Sequence, residues 1–436
     1  KGINYLMKKV LIISYYWPPS GGSGVQRWLK HVKYLRDYSW EPIIFTADNA
    51  EPPVFDASLQ KEVPEGVEIL KVPIWEPYDF YKKFTGKKKS DRIGPGLMSS
   101  GGGVMGKISV FIRGNFFIPD ARMFWIKPSV RFLRKYLSEN HVDAIISTGP
   151  PHTTHMIAMQ VKDKVNIPWI ADFRDPWTKI DFYQKLKLTK WADRKHHKLE
   201  SQVLHKSDKV VTVSWNWAKD FKEVDKDKVH VITNGFDQED FNNINCELST
   251  KFNIAHCGAM NEDRNPVALW RALDEICQSN PLFKELLSID IVGSCDEKII
   301  QSIRENNLLD NLKLVPHVSH KEVINIMASS QILLLAINRT PNSYGIIPGK
   351  LYEYIASRRP VLAIGPTDAD SSKVIQKTNA GKIYDFEDAE GIQSFLENAF
   401  EQFQQEKLKV DSSVDIQKFS RKNLAGDFAN LLNSLT

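Results

Sequence analysis

Cysteine is scarce in this chain of 436 residues, with four thiols at positions 246, 257, 277 and 295. No two form a CxxC pair and none shares a metal-ligand spacing with a histidine. That excludes a disulfide scaffold and a zinc module, and predicts reduced thiols in a cytoplasmic protein. Long hydrophobic runs are missing too. The longest, Val10–Ile13 and Ile332–Ile337, are of strand length rather than the roughly 18 residues of a membrane span, and neither has the layout of a secretory signal. The chain is therefore expected not to cross a bilayer. An excess of one charge is also lacking: 58 Lys and Arg face 53 Asp and Glu, and the resulting +5 gives no reason to expect nucleic acid. The first glycine-rich turn, Pro18 to Gly24, lacks Walker lysine spacing and fails GxGxxG. No acidic residue ends the following run Pro42–Thr46 to hold a ribose, which speaks against a dinucleotide site.

What is present is an ordinary globular composition, 42% hydrophobic and 25% charged, at a length beyond one hydrophobic core. Two domains of about 200 residues each are predicted. Strand Val10–Ser14, a helix over about Val25–Tyr38 and strand Pro42–Thr46 open as a βαβ unit, and strand-like runs recur at Ala144–Ser147, Trp169–Asp172, Lys209–Ser214 and Val229–Thr233. A second series follows: Asn253–Cys257, Ser288–Val292, Leu312–Val315, Gln331–Ile337, Pro360–Ile364 and Gly381–Tyr384. Both halves read as parallel, Rossmann-like α/β domains. They are placed at 1–240 and 250–415, with a polar hinge over Asp237–Lys251 and a C-terminal helix, 416–436, packing back on the first domain by fold analogy. Met7-Lys8-Lys9-Val10 reads as a natural start, with Lys1–Leu6 as an added extension.

Residues 82–127 interleave apolar and basic side chains, including Lys87-Lys88-Lys89 and VMGKISVFIRGNFFIPDARMFWIK. They read either as a peripheral contact with an anionic membrane face or a lipid-linked acceptor, with Gly114 and Pro119 interrupting any continuous amphipathic helix, or as a mobile loop followed by a core helix.

The most informative stretch is Tyr344–Pro366, YGIIPGKLYEYIASRRPVLAIGP. Pro348 suits a first helical position and Gly349 lets a ligand approach the backbone, so unpaired amides and the positive helix end face whatever docks there. Lys350 offers a cation for phosphate and Glu353 a carboxylate for sugar hydroxyls; a surface helix with an i, i+3 ion pair is the plain alternative. Arg264, before Asn265-Pro266, is a second cation placed to meet phosphate, or else a solvated arginine beside Glu262 and Asp263. In the first half, His152 in STGPPHTTH sits on a loop after a strand. His155 falls inside the next helix, where a histidine is more often packed than reactive. Asp172, Arg174 and Asp175 in IADFRDPW read equally as an internal ion pair or as groups that position an acceptor hydroxyl. Neither histidine has a persuasive metal partner, Asp368-Ala369-Asp370 lacks supporting ligands, and Ser319–Glu322 reads as a capping box.

In this order, PPSGGSGVQR, STGPPHTTH, IADFRDPW, VITNGFD and PGKLYEYIASRRPVLA resemble the family 4 glycosyltransferases over nearly the whole chain. The resemblance implies a GT-B fold, two Rossmann-like parallel-sheet domains facing each other across a cleft. The implied activity is a retaining, metal-independent transfer from a nucleotide sugar (UDP-, GDP- or dTDP-linked) to a glycan or lipid-linked acceptor, in surface polysaccharide synthesis. No further cofactor is implied. His152, Arg264 and Lys350 are expected at the reacting centre; Gly22, Gly24, Gly258, Gly345, Ile347, Gly349 and Glu353 around the donor; and Asp172, Arg174 and Asp175 toward the acceptor. Glu353 matches the second Glu of the family's E-x7-E motif, whereas the first is Gly345, and Ala259 stands where the family usually has Arg. These departures keep two alternatives open, a non-catalytic nucleotide-sugar-binding or partner protein and a nucleotide-sugar epimerase.

Overall fold

The computed structural model describes residues 7–50, 55–76, 104–242, 244, 246–410 and 413–436. Two compact units result, residues 1–233 with 421–436, and residues 234–420. The stretch read as a hinge contributes a one-turn 3-10 helix, Gln238–Phe241, capped by Asp237, and belongs to the second unit.

The first unit is built on seven parallel strands in the order β3-β2-β1-β4-β5-β6-β7. In chain order they are β1 (Lys8–Ile13), β2 (Trp40–Ala47), β3 (Glu68–Val72), β4 (Ala144–Gly149), β5 (Trp169–Phe173), β6 (Lys209–Thr212) and β7 (Val229–Val231). Central strands such as Val10–Ile13 are apolar at every position because both faces are covered, as parallel sheets require. Leu11, Ile13, Phe45 and Phe173 face one layer with Trp125 and Leu133. Val10, Ile12, Ile44 and Ile146 face the other with Trp28 and Val32 of helix Ser23–Leu35. The last helix, Arg421–Asn433, joins that second layer through Leu424, Phe428 and Leu432.

The second unit has six parallel strands in the order β10-β9-β8-β11-β12-β13. They are β8 (Phe252–Cys257), β9 (Leu287–Val292), β10 (Leu312–Val315), β11 (Ile332–Ala336), β12 (Val361–Ile364) and β13 (Gly381–Tyr384). In each sheet the first strand pairs on both sides, β1 with β2 and β4, and β8 with β9 and β11. The strand order reverses there, and open α/β sheets bind ligands beyond the carboxyl ends of their strands at such a point.

One expectation needs correction, and one strand lies outside those expected. Helix Val104–Phe116 runs straight through Gly114, where a Cβ would stand 2.8 Å from Leu188 Cδ2 and 3.1 Å from the Leu186 carbonyl oxygen; close packing, not a break, selects glycine. The edge strand Glu68–Val72, EILKV, is not signalled in the sequence because charged residues interrupt its alternation. Residues 82–103, with the lysine triplet, lie outside the described residues.

Candidate active site

At the end of β8 the chain turns through Gly258 with φ +111°. A Cβ there would stand 2.9 Å from Lys350 Nζ, and one on the neighbouring Gly293 (φ +118°) would press within 3.1 Å of the Gly258 carbonyl carbon. Both turns therefore need glycine.

Lys350 lies in the first turn of helix Gly349–Ala356. Tyr354 anchors that helix to the sheet: its hydroxyl accepts from the Cys257 N–H at 3.0 Å and donates to the Leu334 carbonyl at 3.3 Å. Lys350 Nζ reaches back to β8 and stands 3.1 Å from His256 Nε2. His256 Nδ1 lies 3.1 Å from the Leu334 carbonyl oxygen, which assigns the ring proton to Nδ1 and leaves the Nε2 lone pair for the amine. Burial holds the imidazole well below its ordinary pKa, and Lys350 and Arg264 push the same way, against backbone hydrogen bonds with Leu334 and Ala259. The Lys350 amine is lowered to about 7, first by burial and then by Arg264, against the pull of Cys257 and Glu353.

Arg264 ends the 3-10 turn Glu262–Arg264 instead of opening the next helix, which starts at Val267. Its guanidinium donates to the Ala259 carbonyl at 2.8 Å and to Asn338 Oδ1 just past β11. Two cations thus meet at the Gly258–Ala259 turn, on the switch point of the second sheet. Pro348 caps the Gly349 helix without any side-chain hydrogen bond, and a Cβ on Gly349 would meet nothing within 4 Å. Open space, backbone amides and the positive helix end at that position suit an anion. Glu353 is half-buried one turn further on, and Gly345 and Ile347 are buried in the approach to the helix.

In the first unit, fully buried Asp172 on β5 receives four donors. They are Trp28 Nε1 at 2.8 Å, Thr148 Oγ1 at 2.9 Å, and Arg27 Nη2 and Nε at 3.1 and 3.3 Å. Arg27 also donates to the Ile232 and Thr233 carbonyls at 2.8 Å each, so the pair ties the first helix to three strand ends. Arg174 donates to the Gly24 carbonyl at 2.7 Å, to the Gly149 carbonyl and to the Pro150 carbonyl. A Cβ on Gly24 would lie 2.6 Å from Arg174 Nη1, so Arg174 occupies the room that this glycine leaves. A Cβ on Gly22, at φ +94°, would meet nothing within 4 Å. Burial raises the half-buried Asp175 carboxyl against the pull of Arg174.

His152 precedes helix Thr153–Lys162 and stacks on Trp177 with ring centroids 4.4 Å apart. Burial, then His155, His196 and Arg174, hold it neutral, and its Nδ1 has no hydrogen-bond partner among the described residues. His155 is packed: its Nδ1 lies 2.8 Å from Ser147 Oγ, and burial lowers it to about 3. Asp370 pairs with Lys373 at 2.8 Å, and no three His, Cys, Asp or Glu side chains form a metal-binding group among the described residues.

Residues 100–240 match the family model for Glycosyltransferase Family 4. Over those residues the chain resembles the family 4 glycosyltransferases. Solved structures align with this chain over nearly its full length. Sucrose-phosphate synthase from Thermosynechococcus elongatus is 13% identical, with 98% of this chain and 99% of that one covered and a TM-score of 0.62. HepE from Anabaena in complex with UDP-glucose is 13% identical, with 98% and 99% covered and a TM-score of 0.61. WaaG, a glycosyltransferase involved in lipopolysaccharide biosynthesis, is 12% identical, with 98% and 95% covered and a TM-score of 0.53. At such identities the likeness carries the fold, which is GT-B. No curated protein matches the chain.

The structure therefore brings Arg264, Lys350, Gly258 and Gly349 together in the second unit, and His152, Arg174 and Asp172 around the β4 and β5 ends in the first. Sequence reading passed over His256 and Asn338 in the cation site, and Arg27 and Trp28 around Asp172. His256 had one signal, a histidine inside the apolar strand Phe252–Cys257 directly ahead of a glycine turn.

Proposed function

We propose that this GT-B protein is a retaining glycosyltransferase of family 4 that moves a sugar from a nucleoside diphosphate donor to a glycan or lipid-linked acceptor in surface polysaccharide synthesis. The observation that carries the reading is the meeting of Lys350 and Arg264 at the Gly258–Ala259 turn, beside the open amino end of the Gly349 helix. A departing diphosphate gathers negative charge in the transition state, and two fixed cations with helix amides stabilise it without a metal ion. The UDP-glucose bound to the HepE relative supports a nucleotide-sugar donor, and the lipopolysaccharide role of the WaaG relative supports a glycan acceptor.

Glu353 is proposed to accept from the donor ribose. The neutral His152 ring orients sugar hydroxyls with its free lone pair and does not take a proton from the acceptor, as same-face attack in a retaining transfer requires. Asp172 and Arg174 act on the acceptor through the loops they hold, since their polar atoms are engaged within the protein. Incubation with UDP-, GDP- and dTDP-sugars is expected to release nucleoside diphosphate only when extracted lipid-linked glycan is present. Conversion of the donor to another sugar nucleotide without acceptor would instead establish an epimerase, and no turnover with any donor a non-catalytic binder.

We further propose peripheral attachment to the cytoplasmic membrane face. Ile108, Phe111, Ile112 and Phe116 are exposed on helix Val104–Phe116, and no helix among the described residues is long and apolar enough to cross a membrane. Phe111→Ser with Phe116→Ser should lower sedimentation with anionic phospholipid vesicles several-fold, and unchanged sedimentation would remove helix Val104–Phe116 as the attachment site.

A further inference from the structure

We propose that His256 is a positioning residue for the donor site, whose imidazole holds the Lys350 amine over Gly258 where an oxygen of the bound diphosphate completes the amine's surroundings. The inference rests on the donor-site reading above and adds to it a residue and a proton.

Three observations converge. The His256 ring is oriented by the backbone: Nδ1 lies 3.1 Å from the Leu334 carbonyl oxygen, the Ala259 backbone also engages the ring, and Nε2 lies 3.1 Å from the Lys350 amine. The amine is confined on the other side by Gly258, where a single methyl group would leave 2.9 Å. The groups that face it are His256 and Cys257 from β8, Arg264 from the turn and Glu353 from its own helix, and of these only Glu353 is a carboxylate. A neutral imidazole fixes the direction of the amine without neutralising it, whereas an aspartate in that place would bind the amine and compete with phosphate.

A consequence for protons follows. Burial and Arg264 lower the amine to about 7. An incoming diphosphate favours the charged form and raises that value, so above pH 7 binding draws a proton from solution and affinity falls as pH rises. His256 takes no part in the titration, because burial and its two cationic neighbours keep it neutral.

The test is isothermal titration of UDP, GDP and dTDP from pH 7 to 9 in two buffers of unlike ionisation enthalpy. Phosphate groups with a second pKa of about 6 are already ionised in that range. The wild type should take up as much as one proton per nucleotide and lose up to tenfold in affinity for each pH unit. Lys350→Met should bind weakly and take up none. His256→Leu should weaken binding about tenfold at pH 7 and change the proton uptake, whereas His256→Gln, which keeps an acceptor near Nε2, should recover most of the affinity. If the wild type and Lys350→Met behave so but His256→Leu matches the wild type in affinity and proton uptake, the role of His256 is refuted and the donor site stands. Lack of proton uptake by the wild type between pH 7 and 9 refutes the proton coupling. If none of the three nucleotides binds, or Lys350→Met binds like the wild type, the donor-site reading fails and this inference with it.

Discussion

Replacing Lys350 with methionine is expected to weaken binding of the nucleotide-sugar donor by about 100-fold and to lower turnover at least as much. The reason is the cost of losing charge-assisted hydrogen bonds to phosphate, about 1.5–3 kcal/mol for one such partner. Burial and Arg264 disfavour the charged amine, a cost that a bound anion relieves. The same variant should therefore unfold at an equal or higher temperature than the wild type, because an isosteric apolar side chain removes that cost. Loss of binding with no loss of stability is the signature of a residue kept for its ligand. Calorimetric titration and a thermal melt read the two halves of the prediction, and a parallel fall in melting temperature would make Lys350 structural.

Asp172→Ala is expected to have the opposite profile. Asp172 and Arg27 are paired at 3.1 Å with side-chain exposures of 0% and 1%, and removing one partner leaves the other charge buried and uncompensated. Such a loss costs about 3–5 kcal/mol, which for a unit of this size lowers the melting temperature by on the order of 10 °C. Thr148 Oγ1 and Trp28 Nε1 lose their acceptor in the same step, which adds to the effect. Asp172→Asn keeps an acceptor oxygen and should recover part of the loss. A melting temperature within a degree or two of wild type, combined with lost turnover, would show instead that the carboxylate serves the acceptor directly.

The contrast between these two residues marks what can be read from a sequence. Strands such as Val10–Ile13 and Ile332–Ala336 are legible because a parallel sheet covered on both faces leaves unbroken apolar runs between turn residues. The Ser319–Glu322 capping box is legible because both of its hydrogen bonds are local, and both are present. Edge strand Glu68–Val72 escapes because half of it meets solvent and carries charge. Gly114 is misread because its reason is a loop 72 residues away that needs the room of a side chain. The helix start at Pro348-Gly349-Lys350 is local and visible in the sequence. Its coupling to His256, 94 positions earlier, depends on the pairing of β8 with β11 and on the Tyr354 anchor, which no spacing encodes. Likewise, IADFRDPW shows that two carboxylates and a guanidinium meet a strand end. Only the fold shows that Asp172 is taken up by Arg27 and that Arg174 clamps Gly24.

The central claim is that Lys350 and Arg264 hold the diphosphate of a nucleotide-sugar donor, and a crystal structure with bound UDP or GDP tests it most directly. The expected density places a phosphate oxygen within hydrogen-bond distance of Lys350 Nζ, with the Arg264 guanidinium or the amides around Gly349 on the same diphosphate and the ribose hydroxyls toward Glu353. A nucleotide bound elsewhere on the protein, with Lys350 still turned to His256 and touching no phosphate, would contradict the account.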